Sequence, residues 1–222
     1  MYVYLNACIT KIRTVLLPML IFGFAGYMSS CNSPEPASIE YEEINLFQNP
    51  VQNQYNKNDV LRFKTEDGTY NLHLLSTYKI AALVVGHTTY SSGWQGQIAP
   101  IDLALVWGEP SQPDYDKYIS FRQSDRWYFF EIKPDSPYSP AFISRHSSNN
   151  HIIPATENIL KALKSIKKNQ KIVLEGFLVN IDGIYKGQHV WWTSSLSRTD
   201  TGDNSCELMY VQRVQVEKYI YE

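Results

Sequence analysis

Residues 171–181, KIVLEGFLVNI, form the most strand-like stretch of the chain. Apolar side chains dominate it, Glu175 and Asn180 break it, and Asp182-Gly183 follows as a turn signal. One good helix precedes it. Thr156 is placed to cap that helix, and Glu157 puts a negative charge in its first turn. Ile159, Leu160, Leu163 and Ile166 recur at helical spacing and predict a buried stripe. Elsewhere the signals are for strands: 60–65 and 69–76 around the turn Glu66-Asp67-Gly68, then 78–86, 101–107, 118–122, 126–133, 190–194 and 206–217. The continuous apolar runs YKIAALVVG at 78–86 and IDLALVW at 101–107 suit strands covered on both faces. These readings predict a mainly β, α+β fold of curled or barrel-like antiparallel sheets with one main helix.

The run NQKIVLEG at 169–176 resembles the opening of an OB-fold barrel. There, a polar turn leads into a strand whose glycine permits tight coiling. The resemblance covers about 50 residues, from the helix to the last strand, and implies an OB-like C-terminal part.

Residues 1–31 differ from all that follows. Lys11 and Arg13 are the only charges before Glu35, and they precede an apolar run from Val15 to Tyr27. That run is shorter than the roughly 20 residues a membrane-spanning helix needs and fits a signal-peptide core. Ser29, Ser30 and Cys31 come next. The order basic, apolar, small, cysteine resembles a bacterial lipoprotein signal, which implies cleavage before Cys31 and acylation of its sulfur. Met28, where leucine is usual, and the long segment before Lys11 depart from that pattern; an uncleaved anchor and ordinary secretion are the alternatives. The resulting organisation is a signal at 1–30, an attachment cysteine and tether at 31–40, and a domain at 41–222. That domain is either single or two lobes at about 41–153 and 154–222. Asn32 after the cysteine favours, by the same resemblance, an outer membrane site facing the periplasm.

Composition removes several classes. With 44% hydrophobic and 19% charged residues the chain is neither a disordered tail nor a polytopic membrane protein. Its formal charge is −2, and losing Lys11 and Arg13 with residues 1–30 makes it −4. That argues against a nucleic-acid partner. No P-loop, dinucleotide glycine fingerprint or paired CxxC occurs, and no cofactor or metal is expected.

A few polar residues stand out. Alternation in 101–107 sends Ile101, Leu103, Leu105 and Trp107 one way and Asp102, Ala104 and Val106 the other. A buried Asp102 needs an arginine or histidine partner, as a structural anchor or as a catalytic or ligand-binding acid. SRHSSNNHIIP at 144–154 predicts an ordered loop in which His146 and His151 converge for acid–base work, for ligand contact or merely to brace the loop. SSLSRTDTGDNSCE at 194–207 offers Asp200, Asp203, Asn204 and Glu207 as calcium oxygens without EF-hand spacing. It also offers Arg198 as a fork for Asp102 or Asp200. Ser194 or Ser195, a histidine and Asp102 supply the residue types of a triad, and Cys206 supplies a thiol version. Neither G-x-S-x-G nor a papain-type motif is present. Trp191 and Trp192 on one strand must face opposite ways, so one of them approaches the surface. SSGWQGQ at 91–97 reads as a loop presenting Trp94.

IDLALVW, HSSNNHIIP and SSLSRTDTG resemble stretches of uncharacterised bacterial envelope proteins, a resemblance that carries no activity. The resulting expectation is a lipid-anchored envelope domain that binds a protein partner or glycan through Trp94, Trp191, Trp192 and Arg198 without catalysis. The alternative is a small hydrolase using the histidine-containing loop with Asp102 or Cys206.

Overall fold

The computed structural model describes residues 33–197 and 206–222. The signal segment, Cys31, Arg198, Asp200, Asp203 and Asn204 therefore lie outside the described residues.

The first strands are β1 (Val51–Gln54), β2 (Val60–Lys64) and the long β3 (Gly68–Thr89). The helix α1 (Gly93–Ile98) leads to β4 (Ile101–Val106). A hairpin of β5 (Ile119–Ser124) and β6 (Trp127–Ile132) and the helix α2 (Pro140–Arg145) precede β7 (Ser147–Pro154). The helix α3 (Glu157–Ser165) then leads to β8 (Lys171–Tyr185), β9 (Gln188–Trp192), β10 (Glu207–Val216) and β11 (Tyr219–Tyr221). The fold is mainly β with curled sheets, as the alternation predicts, but mixed rather than wholly antiparallel, because β7 and β10 run parallel.

Strands β3 and β8 pair antiparallel from Gly68–Tyr185 to Leu83–Lys171 and form a spine. Around one half of it the order β3-β4-β7-β10-β8 returns to β3 and closes a five-stranded ring. All neighbours in the ring are antiparallel except β7 and β10. A helix between the third and fourth ring strands, and a parallel contact between the third and fifth, give the connectivity of an OB-type barrel. Of the five ring strands only β8 and β10 lie in the C-terminal stretch predicted to be OB-like; β3, β4 and β7 precede it. Ile80, Leu103, Ile152, Leu174 and Val211 fill the barrel, and α3 closes it with Ile159, Ala162, Leu163 and Ile166. The Thr156 hydroxyl accepts from the Ile159 N–H at 3.1 Å, the expected cap. Gly176 lets β8 coil against β10, for a Cβ there would lie 1.9 Å from the Tyr210 carbonyl oxygen.

Beyond the barrel the spine continues as a four-stranded sheet, β2-β3-β8-β9. One extra residue, Leu75, interrupts the β3–β8 register between Leu74 and Ser76. A single inserted residue exchanges the faces of a strand. On the barrel side Tyr78 and Leu178 point into the main core; past the bulge Leu72, Leu74, Val179 and Ile181 belong to a second core on the opposite face. The face continuous with the barrel interior is thereby released to solvent.

Three expectations change in detail. The stretch at 144–154 is not a loop: β7 is a strand in which Ser147, Ser148, Asn149, Asn150 and His151 are all buried. The stretch at 91–97 is largely the helix α1. The 60–65 hairpin is kept, but 69–76 and 78–86 merge into one strand, because β8 pairs along both. Glu35 and Ala37, in the expected tether, already hydrogen-bond to Asn158 and the Ile220 carbonyl.

Candidate functional site

Asp102 lies on the outer face of the barrel, opposite His151 across the β4–β7 pair. It is fully buried. One carboxylate oxygen accepts from the Arg126 guanidinium at 2.7 Å and from His151 Nδ1 at 2.9 Å. The expected arginine or histidine partner is both at once. With two donors on one oxygen the charge that burial penalises is matched, and Nδ1 of His151 carries the shared proton.

Arg126 reaches Asp102 from the β5–β6 turn. Asp125 and Arg126 have φ values of 51° and 71°, the mirror-image turn that hairpins favour and that glycine usually serves. A side chain in this left-handed region costs about 1–2 kcal/mol, so the turn needs compensation. The guanidinium also donates to the Ala99 carbonyl at 2.8 Å and stacks over Tyr90 at 3.7 Å. The Arg126 backbone N–H donates to the Tyr90 hydroxyl, and its carbonyl accepts from Asn149 Nδ2. Burial, then the charge of Asp102, pushes the Tyr90 phenol above its ordinary range, which keeps it neutral. Trp192 covers the site, 4.7 Å from the His151 ring centroid, and Trp94 packs edge-on against Trp192.

Asp102, His151, Trp192 and Trp94 therefore converge, together with Arg126, Tyr90 and Asn149, which the sequence pattern does not single out. The turn pair Asp125-Arg126 lacks a glycine, and that is the only local hint of Arg126. The other candidates lie elsewhere. His146 sits at the opposite end of β7, its Nδ1 on the Phe142 carbonyl at 2.9 Å and its ring against Phe142. Five residues of strand put it roughly 17 Å from His151, so the two histidines do not converge. The Ser194 hydroxyl donates to the Ser195 carbonyl and accepts from the Leu208 N–H. Ser195 Oγ donates to the Ser197 carbonyl. Cys206 is half-buried and receives a long 4.0 Å contact from Asn149. None of these nucleophile candidates has a hydrogen bond to His151 among the described residues. The same residues hold no cluster of three His, Cys, Asp or Glu side chains suited to a metal ion.

A surface groove of about 520 Å³, lined by Leu46, Leu83, Asp114, Tyr115, Asn169 and Lys171, does not include the Asp102 cluster. The chemistry at Asp102 is that of a clamp. A dried carboxylate fixes a strained turn, and through it the β5–β6 hairpin, on the barrel wall.

The second polar and aromatic collection is open. Trp191 is 74% exposed on β9 and stands directly across from Asp182 on β8. Asp182 pairs in register with Asn71, and Asn71 with Arg62, which makes one cross-strand row Arg62–Asn71–Asp182–Trp191. Asn71 Nδ2 donates to Asp182 at 3.0 Å, and His73 Nε2 holds the other carboxylate oxygen. His73 first, and Asn71 second, hold the Asp182 carboxyl below its ordinary range. Among the described residues no helix is long and apolar enough to cross a membrane. Compared with known proteins, the chain matches no family model, no curated protein and no solved structure.

Proposed function

We propose that the protein is a lipid-anchored domain of a bacterial envelope that binds a partner without catalysis, through the open face bearing Trp191. The basic, apolar, small, cysteine order ending at Cys31 supports the anchor. Asn32 after that cysteine supports a place at the outer membrane, facing the periplasm. The observation that carries the binding role is the exposure of Trp191 on a regular strand, beside side chains already fixed by hydrogen bonds. An ordered, exposed indole loses little freedom on binding and offers a large contact area.

Two measurements test this reading. Replacing Cys31→Ser should abolish acyl labelling and release the domain from membranes; an intact mass with Met1 present and no fatty modification contradicts the anchor. A photo-crosslinking residue at position 191 should capture an envelope component in cells, whereas one at position 219, on an exposed tyrosine, should not. Equal capture from both positions contradicts the binding role.

The hydrolase reading draws on one observation, the contact of Asp102 with His151. Among the described residues no nucleophile is hydrogen-bonded to that histidine. Covalent labelling of Ser194 by a fluorophosphonate, or of Cys206 by a substrate-like electrophile, lost in His151→Gln but kept in His146→Gln, would favour it over the binding role.

A further inference from the structure

The exposed face of the β2-β3-β8-β9 sheet has a chemistry that selects among ligands. On β2, Arg62 and Lys64 are exposed, and neither forms an ion pair among the described residues. The row carries one carboxylate, Asp182, and His73 and Asn71 already satisfy it. The other acids nearby, Glu66 and Asp67, lie in the β2–β3 turn, where Lys186 approaches Asp67 at 3.8 Å. His189, exposed on β9, faces Ile184 two residues along from Trp191. The strands of this face thus carry two cations against one carboxylate within a domain that is acidic as a whole, and the turns add one cation and two acids. Trp191, its one large exposed aromatic ring among the described residues, stands among fixed donors and acceptors.

We propose that this face binds an acidic saccharide chain; the inference rests on the reading of the protein as a binding domain and names its ligand class. A sugar ring lays its C–H face on an indole and spends its hydroxyls on fixed amides, imidazoles and carboxylates. Trp191, Asn71, His73 and Asp182 supply those groups within two strand spacings. Protein hot spots instead cluster several large apolar anchors in a dried pocket, whereas this face holds one aromatic ring among the described residues, with only the smaller Val60 and Ile184 beside it. Arg62 stands three strand spacings from Trp191, roughly 14 Å, so a carboxylate on a neighbouring sugar of the same chain reaches the cation while one ring stacks. Arginine and lysine together favour an anionic chain over a neutral one.

The experiment is a titration of the mature full chain with oligogalacturonate, and with a neutral maltooligosaccharide of equal length, at two salt concentrations. Oligogalacturonate should bind at least tenfold more tightly than the neutral chain, with affinity that falls as salt rises. Trp191→Ala should lower that affinity at least tenfold with an unchanged melting temperature. Arg62→Gln should lower it several-fold and flatten the salt dependence. No binding of oligogalacturonate, or equal binding of the neutral chain, overturns the saccharide inference. Binding to phosphatidylglycerol vesicles that needs Trp191, without glycan binding, also overturns it and leaves the face a binding surface. Glycan binding that survives Trp191→Ala undiminished overturns the face itself, and with it the binding role proposed above.

Discussion

Trp191 and Trp192 are consecutive, yet they belong to two regions built from similar side chains. Trp192 closes over Asp102, His151 and Arg126 on the barrel wall; Trp191 stands exposed across from Asp182, which Asn71 and His73 hold from the next strand. Each region has a carboxylate, a histidine and an indole. The difference is the covering. At Asp102 the β5–β6 hairpin and Trp192 exclude water; one carboxylate oxygen holds both donors while the other is buried without a hydrogen-bond partner among the described residues, so removing a donor strands the charge. At Asp182 none of the described residues covers the row, water can replace any lost partner, and the polar atoms stay accessible. The same residue types thus act as a brace in one place and stand open to solvent in the other.

The largest expected effect is at the brace. Arg126→Met should lower unfolding free energy in urea by about 3–5 kcal/mol, the cost of leaving a buried charge without its main partner. Replacing Asp102→Leu in the same chain should recover much of that loss, because the orphaned carboxylate goes too. A loss below about 1 kcal/mol in the single variant, the range of exposed ion pairs, would mean that water reaches Asp102 and that the two regions do not differ.

The tryptophans give the next effect. Trp192→Ala should cost about 2–4 kcal/mol, since it opens a cavity over His151, whereas Trp191→Ala should stay within about 0.5 kcal/mol of the parent chain. Equal losses in the two denaturation curves would place both rings in one packed layer.

Gly176→Ala tests the barrel that carries both regions. The added methyl meets the Tyr210 backbone and should cost about 1–3 kcal/mol. A melting temperature equal to the parent's would show that the coiled β8–β10 contact is loose.

The smallest effects are those of pH. Burial holds the His87 imidazole below its ordinary range, against the pull of the Leu163 carbonyl to which Nε2 donates. Such a group contributes stability above its unfolded value that is lost as pH falls toward the folded one. Unfolding free energy should therefore decline as pH drops below the ordinary histidine range, and His87→Gln should flatten that decline. Asp182 follows the same sign at lower pH, in and below the ordinary carboxylate range, with a weaker effect because water screens the exposed pair.

Much of the brace is legible in the amino-acid sequence. Alternation in IDLALVW places Asp102 opposite the core-facing leucines, and the cost of a buried charge then demands a cationic partner. Which partner is not legible, because Arg126 comes from a turn whose geometry only the folded hairpin stabilises. SSNN looks like a turn because short polar side chains usually serve turns. In β7 they serve a strand instead, since Asn149 bridges Gln123 and the Arg126 carbonyl, and Ser147 bonds the Ile143 carbonyl. The exposure of one tryptophan of the pair follows from alternation alone. Which one faces water depends on the face exchange at Leu75, and a one-residue bulge leaves no periodic trace in the sequence.

The most direct measurement follows the indole N–H resonances of the mature chain during titration with oligogalacturonate. The Trp191 resonance should shift in saturable fashion while that of Trp192 stays in place. Movement of Trp192 with Trp191 unmoved would contradict the division between brace and contact surface, and would place the binding surface at the Asp102 cluster.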